Sequence, residues 1–215
     1  MLMLMAVLSM IIGNVVAIAQ TNIKRMLAYS TIAHAGYLMV GLAAVALRNP
    51  EAQTTLGPSG VLFYLSGYAL TNLAAFSAVI AISNRIGSDQ IDAFAGMSRR
   101  SPFLAGVLGF SMISLIGVPP TVGFIAKVYI FGAAVDTNLE WLAVAGVVNS
   151  VLSAYYYLRV VKVMYLRPPE DEGAIASGAP MKLAVLATLA GTAFFGVYPA
   201  PLINLARTAV GVLGS

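Results

Sequence analysis

Lys127 closes the segment Gly117-Val118-Pro119-Pro120-Thr121-Val122-Gly123-Phe124-Ile125-Ala126-Lys127, inside an apolar run over 102–133. Two consecutive prolines lack N–H groups and clash with the preceding turn. The run therefore reads as two half-helices joined by unwound backbone, discontinuous at Gly117–Pro120 with Gly123 just beyond. A lysine in hydrocarbon costs about 2.5–3.5 kcal/mol on insertion scales. One reading makes Lys127 a proton-relay site, whose charge state its neighbours set. The other lets it snorkel to the outer surface, since Asp136 is nine residues on. Broken helices often mark ion paths, which favours the relay. His34, the single histidine, shares a helical face with Ser30 and Tyr37. Its imidazole can pass a proton between two nitrogens, or simply hydrogen-bond between helices as packing. Tyr64, Tyr68, Thr71 and Asn72 follow at i, i+4, i+7 and i+8. Their hydroxyls and amide can line a hydrated path, or bond helix to helix.

These residues need elements to place them, and composition says what kind. The chain has 215 residues, 60% hydrophobic and 9% charged, without cysteine. Soluble domains carry about 25% charge, and a mean hydropathy of +0.88 agrees with a membrane protein. No cysteine means no disulfide, thiolate chemistry, iron–sulfur ligation or cysteine zinc site. One histidine and no intramembrane carboxylate leave no protein-only metal site. The net charge of +4 comes from scattered bases rather than a cluster, so no nucleic-acid partner is expected. The partner expected from composition is the lipid bilayer.

Six apolar runs stand out, at 2–22, 26–47, 59–83, 102–133, 140–165 and 181–199. Unalternating runs of this length predict transmembrane helices. The fold class expected is an all-α polytopic membrane protein, one membrane domain over 1–215 with about six spans. The stretch 200–215, mildly amphipathic after Pro199 and Pro201, reads as an interfacial tail. The first twenty residues resemble a signal peptide, but no base precedes the run and Lys24-Arg25 follow it, so a retained span is expected.

All eight acids fall in or beside connections: Glu51, Asp89, Asp92, Asp136, Glu140, Glu170, Asp171 and Glu172. Lys24, Arg25, Arg85, Arg99, Arg100, Lys162, Arg167 and Lys182 share one side, and Arg48 and Arg207 take the other. The positive-inside rule puts the first side in the cytoplasm and both termini outside. Arg159 lies a turn from Lys162 and can snorkel with it, which leaves Lys127 unaccounted for. Lys24 serves topology by default, and proton uptake is its functional alternative. Tyr155-Tyr156-Tyr157 and Trp141 read as interface-belt or packing aromatics.

Thr21-Asn22-Ile23-Lys24-Arg25-Met26-Leu27-Ala28-Tyr29-Ser30-Thr31-Ile32-Ala33-His34-Ala35-Gly36-Tyr37 resembles a hallmark of the antiporter-like, proton-translocating subunits of respiratory complex I. The segment 117–127 looks like that family's broken twelfth helix. Ser153-Ala154-Tyr155-Tyr156-Tyr157-Leu158-Arg159-Val160-Val161-Lys162 looks like its thirteenth, and Arg99-Arg100-Ser101-Pro102 also fits. Family members typically have about fourteen helices, and these six resemble the last six. A glutamate and two lysines typical of the earlier helices are absent, so the resemblance implies a C-terminal portion.

The resemblance maps the family's twelfth-helix lysine onto Lys127. Members of the L type, and the cation antiporters, carry histidines and a lysine where this chain has Tyr64, Tyr68 and Asn72. That favours the N type, to which His34 also fits. The implied function is proton translocation in the bacterial inner membrane, coupled to quinone reduction elsewhere in an NADH:quinone oxidoreductase. NADH, FMN, iron–sulfur clusters and quinone would be bound by other subunits, with no cofactor in this chain. The implied partners are neighbouring membrane subunits. Alternatives are a multi-subunit cation/proton antiporter and a structural scaffold of the membrane arm.

Overall fold

Hydrocarbon offers backbone N–H and C=O groups no partner, so so apolar a chain must close its hydrogen bonds within helices. The computed structural model describes residues 1–47, 56–169, 173 and 179–213. Every regular element among them is helical, apart from an isolated antiparallel bridge between Asn22 and Gln90. The helices are α1 (Leu2–Ile18), α2 (Ile23–Ala46), α3 (Leu56–Ile86), α4 (Met97–Arg100), α5 (Pro102–Ile116), α6 (Val122–Asp136), α7 (Glu140–Leu166), α8 (Ala179–Val197) and α9 (Ala200–Leu213). Arg48, Glu51, Glu170, Asp171 and Glu172 lie outside the described residues.

The six expected runs correspond to α1, α2, α3, the pair α5–α6, α7 and α8. Among the described residues, α2, α3 and α7 are each long and apolar enough to cross a membrane alone. α1 and α5 are shorter apolar helices. Boundaries moved where caps act. α2 starts at Ile23 because the Asn22 side chain accepts from Arg25 N at 3.0 Å. Pro102 opens α5, where its missing N–H costs nothing. α9 sets off from α8 with a bend of 87°.

The expected connection 84–101 is largely structured. α3 runs on to Ile86, a 3-10 turn spans Ile91–Phe94, and α4 follows. Ile91, Phe94 and Met97 are buried and plug one end of the bundle. Ile23 N donates to Asp89 O, and Ile91 N to Thr21 O, both at 2.8 Å. Lys24 pairs with Asp89 at 2.7 Å and Arg167 with Asp92 at 2.6 Å. The Lys24 hydrogen bond holds the Asp89 carboxyl below the ordinary aspartate value. Arg159 donates to Gln20 O at 3.3 Å. Lys24 and Arg167, expected on one side, and Arg159 thus bond at the same end of the bundle.

α1 and α2 lie backbone to backbone. A Cβ on Gly13 would sit 2.5 Å from Ala33 N, and one on Gly36 would sit 2.6 Å from Met10 Cγ. Small residues permit such approach where lipid supplies no hydrophobic drive between helices. Large apolar residues remain outward, among them Leu4 and Ile12 on α1 and Val144, Val151 and Leu158 on α7.

Candidate functional site

The break in the α5–α6 span follows from proline chemistry. In a continuous helix the carbonyls of Leu115 and Ile116 would accept from residues 119 and 120. Both are proline and have no N–H to give. α5 therefore stops at Gly117, whose φ of +89° is left-handed backbone that glycine adopts without strain. Gly117 N bonds back to Ile113 O and Ser114 O, leaving the next two carbonyls open. The Pro119–Pro120 peptide bond is cis. α6 restarts at Val122, capped by Thr121, whose hydroxyl donates to Val118 O at 2.7 Å and accepts from Phe124 N at 3.4 Å.

Lys127 supplies what the prolines withhold. Its Nζ donates to Leu115 O at 3.0 Å and Ile116 O at 2.8 Å, and to the Ser150 hydroxyl on α7. The same Nζ lies 5.0 Å over the Tyr37 ring. The side chain is 6% exposed, so it is directed at the break rather than at the outer surface. Hydrogen bonds to charged groups contribute about 1.5–3 kcal/mol each. Three together offset an insertion cost of about 2.5–3.5 kcal/mol. Gly117 also makes room, since a Cβ there would approach Lys127 Cδ to 3.0 Å. At Gly123 a Cβ would collide with the Ser114 carbonyl oxygen, so glycine lets α6 fold back against α5. Val118, Pro119 and Pro120 themselves are exposed in this chain.

His34, buried on α2, is held on both ring nitrogens. Nδ1 lies 2.6 Å from Tyr64 OH, and Nε2 lies 3.3 Å from Tyr157 OH. The Tyr68 ring stacks on it at 4.6 Å, and Tyr37 meets it edge-on at 5.5 Å. Tyr68 OH donates to Thr31 Oγ1 at 2.8 Å. Between His34, Tyr64, Tyr68, Thr71, Ser114 and Lys127 lies a cavity of about 10 Å³. That is room for about one water. Thr71 and Ser114 hydroxyls line it 3.3 Å apart. An imidazole, an amine and several hydroxyls thus surround a one-water gap, a set able to exchange protons without any charged acid.

The remaining sequence candidates divide. Tyr37 sits beyond Lys127, its hydroxyl facing Asn14, Ser150 and Ser153 without a well-formed hydrogen bond to any. Asn72 does not reach the cavity, and its buried Oδ1 has no partner. Ser30 donates to Leu27 O within its own helix at 2.8 Å. Lys24 belongs to the Asp89 ion pair at the bundle end.

Sequence reasoning missed the contribution of α7. Tyr155 is exposed as a belt residue would be, but Tyr156 and Tyr157 are buried and hydrogen-bonded, which removes them from the interface belt. Ser150 and Tyr157, seven apart, lie on one stripe and touch Lys127 and His34 respectively. Asn14 Nδ2 donates to Asn149 O and Oδ1 at 3.0 and 3.1 Å, and Tyr156 OH donates to Asn14 Oδ1 at 3.0 Å. The available signal was Asn149-Ser150 and Ser153 in an otherwise apolar helix at the helical period.

Comparison with known proteins gives a consistent set of similarities. Residues 1–153 match the family model described as NADH:quinone oxidoreductase/Mrp antiporter, TM. NADH-quinone oxidoreductase subunit N of Heliobacterium modesticaldum is 45% identical over 205 residues, 95% of this chain and 42% of the relative. A chain of respiratory complex I from Thermus thermophilus, solved with bound aureothin, superposes with a TM-score of 0.77 at 30% identity. That match covers 94% of this chain and 44% of the other. A chain of the Mrp complex from Dietzia sp. DQ12-45-1b superposes at 0.83, with 23% identity, over 97% of this chain and 46% of the other. At that identity the likeness is one of fold. The chain spans less than half the length of each of these proteins.

Proposed function

Since the chain belongs to the NADH:quinone oxidoreductase/Mrp antiporter membrane family, we propose that it carries the C-terminal half-channel of an N-type proton-translocating subunit. Electron transfer would occur in other subunits, which would bind NADH, FMN, iron–sulfur clusters and quinone. This chain would bind no cofactor and would contact neighbouring membrane subunits and lipid. The observation that carries the reading is the position of Lys127. It is buried at a helix break, fully hydrogen-bonded, and lines the same water-sized cavity as His34.

In this mechanism a proton reaches the Lys127 amine and later leaves it toward the cavity or the outer side. Tyr64 and Tyr157 hold His34 in register with that cavity. Thr71 and Ser114 orient a water between the two groups. A unit charge arriving roughly 10 Å away, at an effective dielectric of about 20, is worth about 1.7 kcal/mol. That exceeds a tenfold change in proton affinity, enough to load or unload the lysine. The end bearing Lys24, Arg85, Arg99, Arg100 and Arg167 would face the cytoplasm, with both termini of this chain outside. α9, turned 87° from α8, would lie along the outer interface. In the assembled complex in vesicles, Lys127→Ala is expected to lower the protons moved per electron pair while the complex still assembles. Wild-type stoichiometry in that variant would refute the assignment.

A further inference from the structure

The three acceptors around Lys127 Nζ differ in one respect. The carbonyls of Leu115 and Ile116 can only accept, so they pair with N–H groups in either charge state of the amine. The Ser150 hydroxyl can accept or donate. An ammonium has three N–H donors, and three acceptors meet it. A neutral amine has two N–H donors and one lone pair. It keeps both carbonyls and needs a donor where the third acceptor stood.

We propose that Ser150 is a two-way hydrogen-bond partner that keeps Lys127 fully satisfied both before and after it loses its proton. This rests on the reading of Lys127 as a proton carrier. The ammonium turns about its Cε–Nζ bond to aim one N–H at the water-sized cavity and gives that proton to a water there. The amine then turns back onto the two carbonyls, and the Ser150 O–H swings round to donate into the new lone pair. No covalent bond of the serine changes. The proton count is carried by the lysine and the water alone. Only the amine and a hydroxyl rotate, which makes the site fit for repeated loading in a place where an unsatisfied polar group is costly.

The rotor needs α7 held at a fixed rotation, and the structure supplies a clamp. Asn149, adjacent in sequence, is bonded by Asn14 from α1, and Tyr156 two turns along is bonded to the same Asn14. Ser153 donates to Ser150 O at 2.6 Å, within the clamped stretch. Ser150 is thus a positioning residue for the Lys127 proton. The titratable groups facing Lys127 are His34 and Tyr37 from α2 and Tyr64 and Tyr68 from α3, with Tyr157 of α7 behind His34. α5 carries no titratable side chain, and the one on α8, Lys182, is exposed.

The test compares Ser150→Thr with Ser150→Val in the assembled, vesicle-reconstituted complex. The two side chains share a shape and differ by the hydroxyl. The groove of about 440 Å³ beside Ser150, lined by Val147, Val151 and Phe131, has room for either. The readout is proton translocation per electron pair as a function of pH. A hydrogen bond to an ionised group is about twice as strong as a neutral one. Loss of the hydroxyl therefore weakens the charged form more. Valine is expected to move the midpoint down by about one pH unit, and threonine to restore it. Equal midpoints for the two variants, with Lys127→Ala still defective, would overturn the role of Ser150 and leave the relay standing. Normal pumping in Lys127→Ala would overturn both. If the valine complex fails to assemble, Ser150→Ala against Ser150→Thr gives the same comparison.

Discussion

A lysine amine placed in hydrocarbon persists only if each of its protons, and its lone pair when it has one, finds a partner. Lys127 meets that condition because the two carbonyls it bonds were orphaned by Pro119 and Pro120. The break and the lysine are thus complementary parts of one device, not two independent oddities. Lys127 and His34 could be singled out from the chain because each is alone of its kind within an apolar run. Tyr64, Tyr68 and Thr71 were legible from helical spacing, and they do line the cavity. Asn72 shared the spacing but misses the cavity, because a stripe of four residues spreads over more than the narrow arc that the site occupies. Ser150 and Tyr157 were not legible as site residues. A serine in a membrane helix commonly bonds its own backbone, as Ser30 does here, and nothing in one chain fixes the rotation of α7 against α6.

At the scale of elements, six apolar runs and the broken fourth span were written in the hydropathy and the prolines. The end cap was not. Ile91, Phe94 and Met97 stand three apart, but the stretch is too short to set an element and Gly96 interrupts it. Their burial depends on long-range pairing of 21–23 with 89–91, which no local pattern encodes. The close seam of α1 and α2 has a testable consequence. Gly13→Leu must push α1 away from Ala33, and Asn14 beside it would lose its hold on Asn149. Overpacking of this kind costs about 1–3 kcal/mol. The assembled complex is expected to melt a few degrees lower in detergent, with weaker coupling of pumping to electron transfer. An unchanged melting temperature and full coupling would show that the seam is looser than described.

For the whole molecule, the charge pattern predicts orientation and the helix break predicts work. The chain has no cysteine, so a single introduced one reports on this chain without background. Gln90→Cys lies in the connection between α3 and α5, and Asp136→Cys at the far end of α6. In intact cells a membrane-impermeant maleimide is expected to reach Asp136→Cys, and to reach Gln90→Cys only after the cytoplasmic face is opened. The reverse pattern would invert the proposed topology. The central claim is narrower than orientation: Lys127 must release its proton, and not merely cap two carbonyls. Arginine separates these roles, since it keeps the positive charge and the donors but does not deprotonate in proteins. The direct measurement is proton translocation per electron pair by the reconstituted complex carrying Lys127→Arg. The proton-carrier account predicts that the arginine complex assembles and pumps as poorly as Lys127→Ala. Wild-type stoichiometry with arginine in place would contradict it and make Lys127 a structural cap.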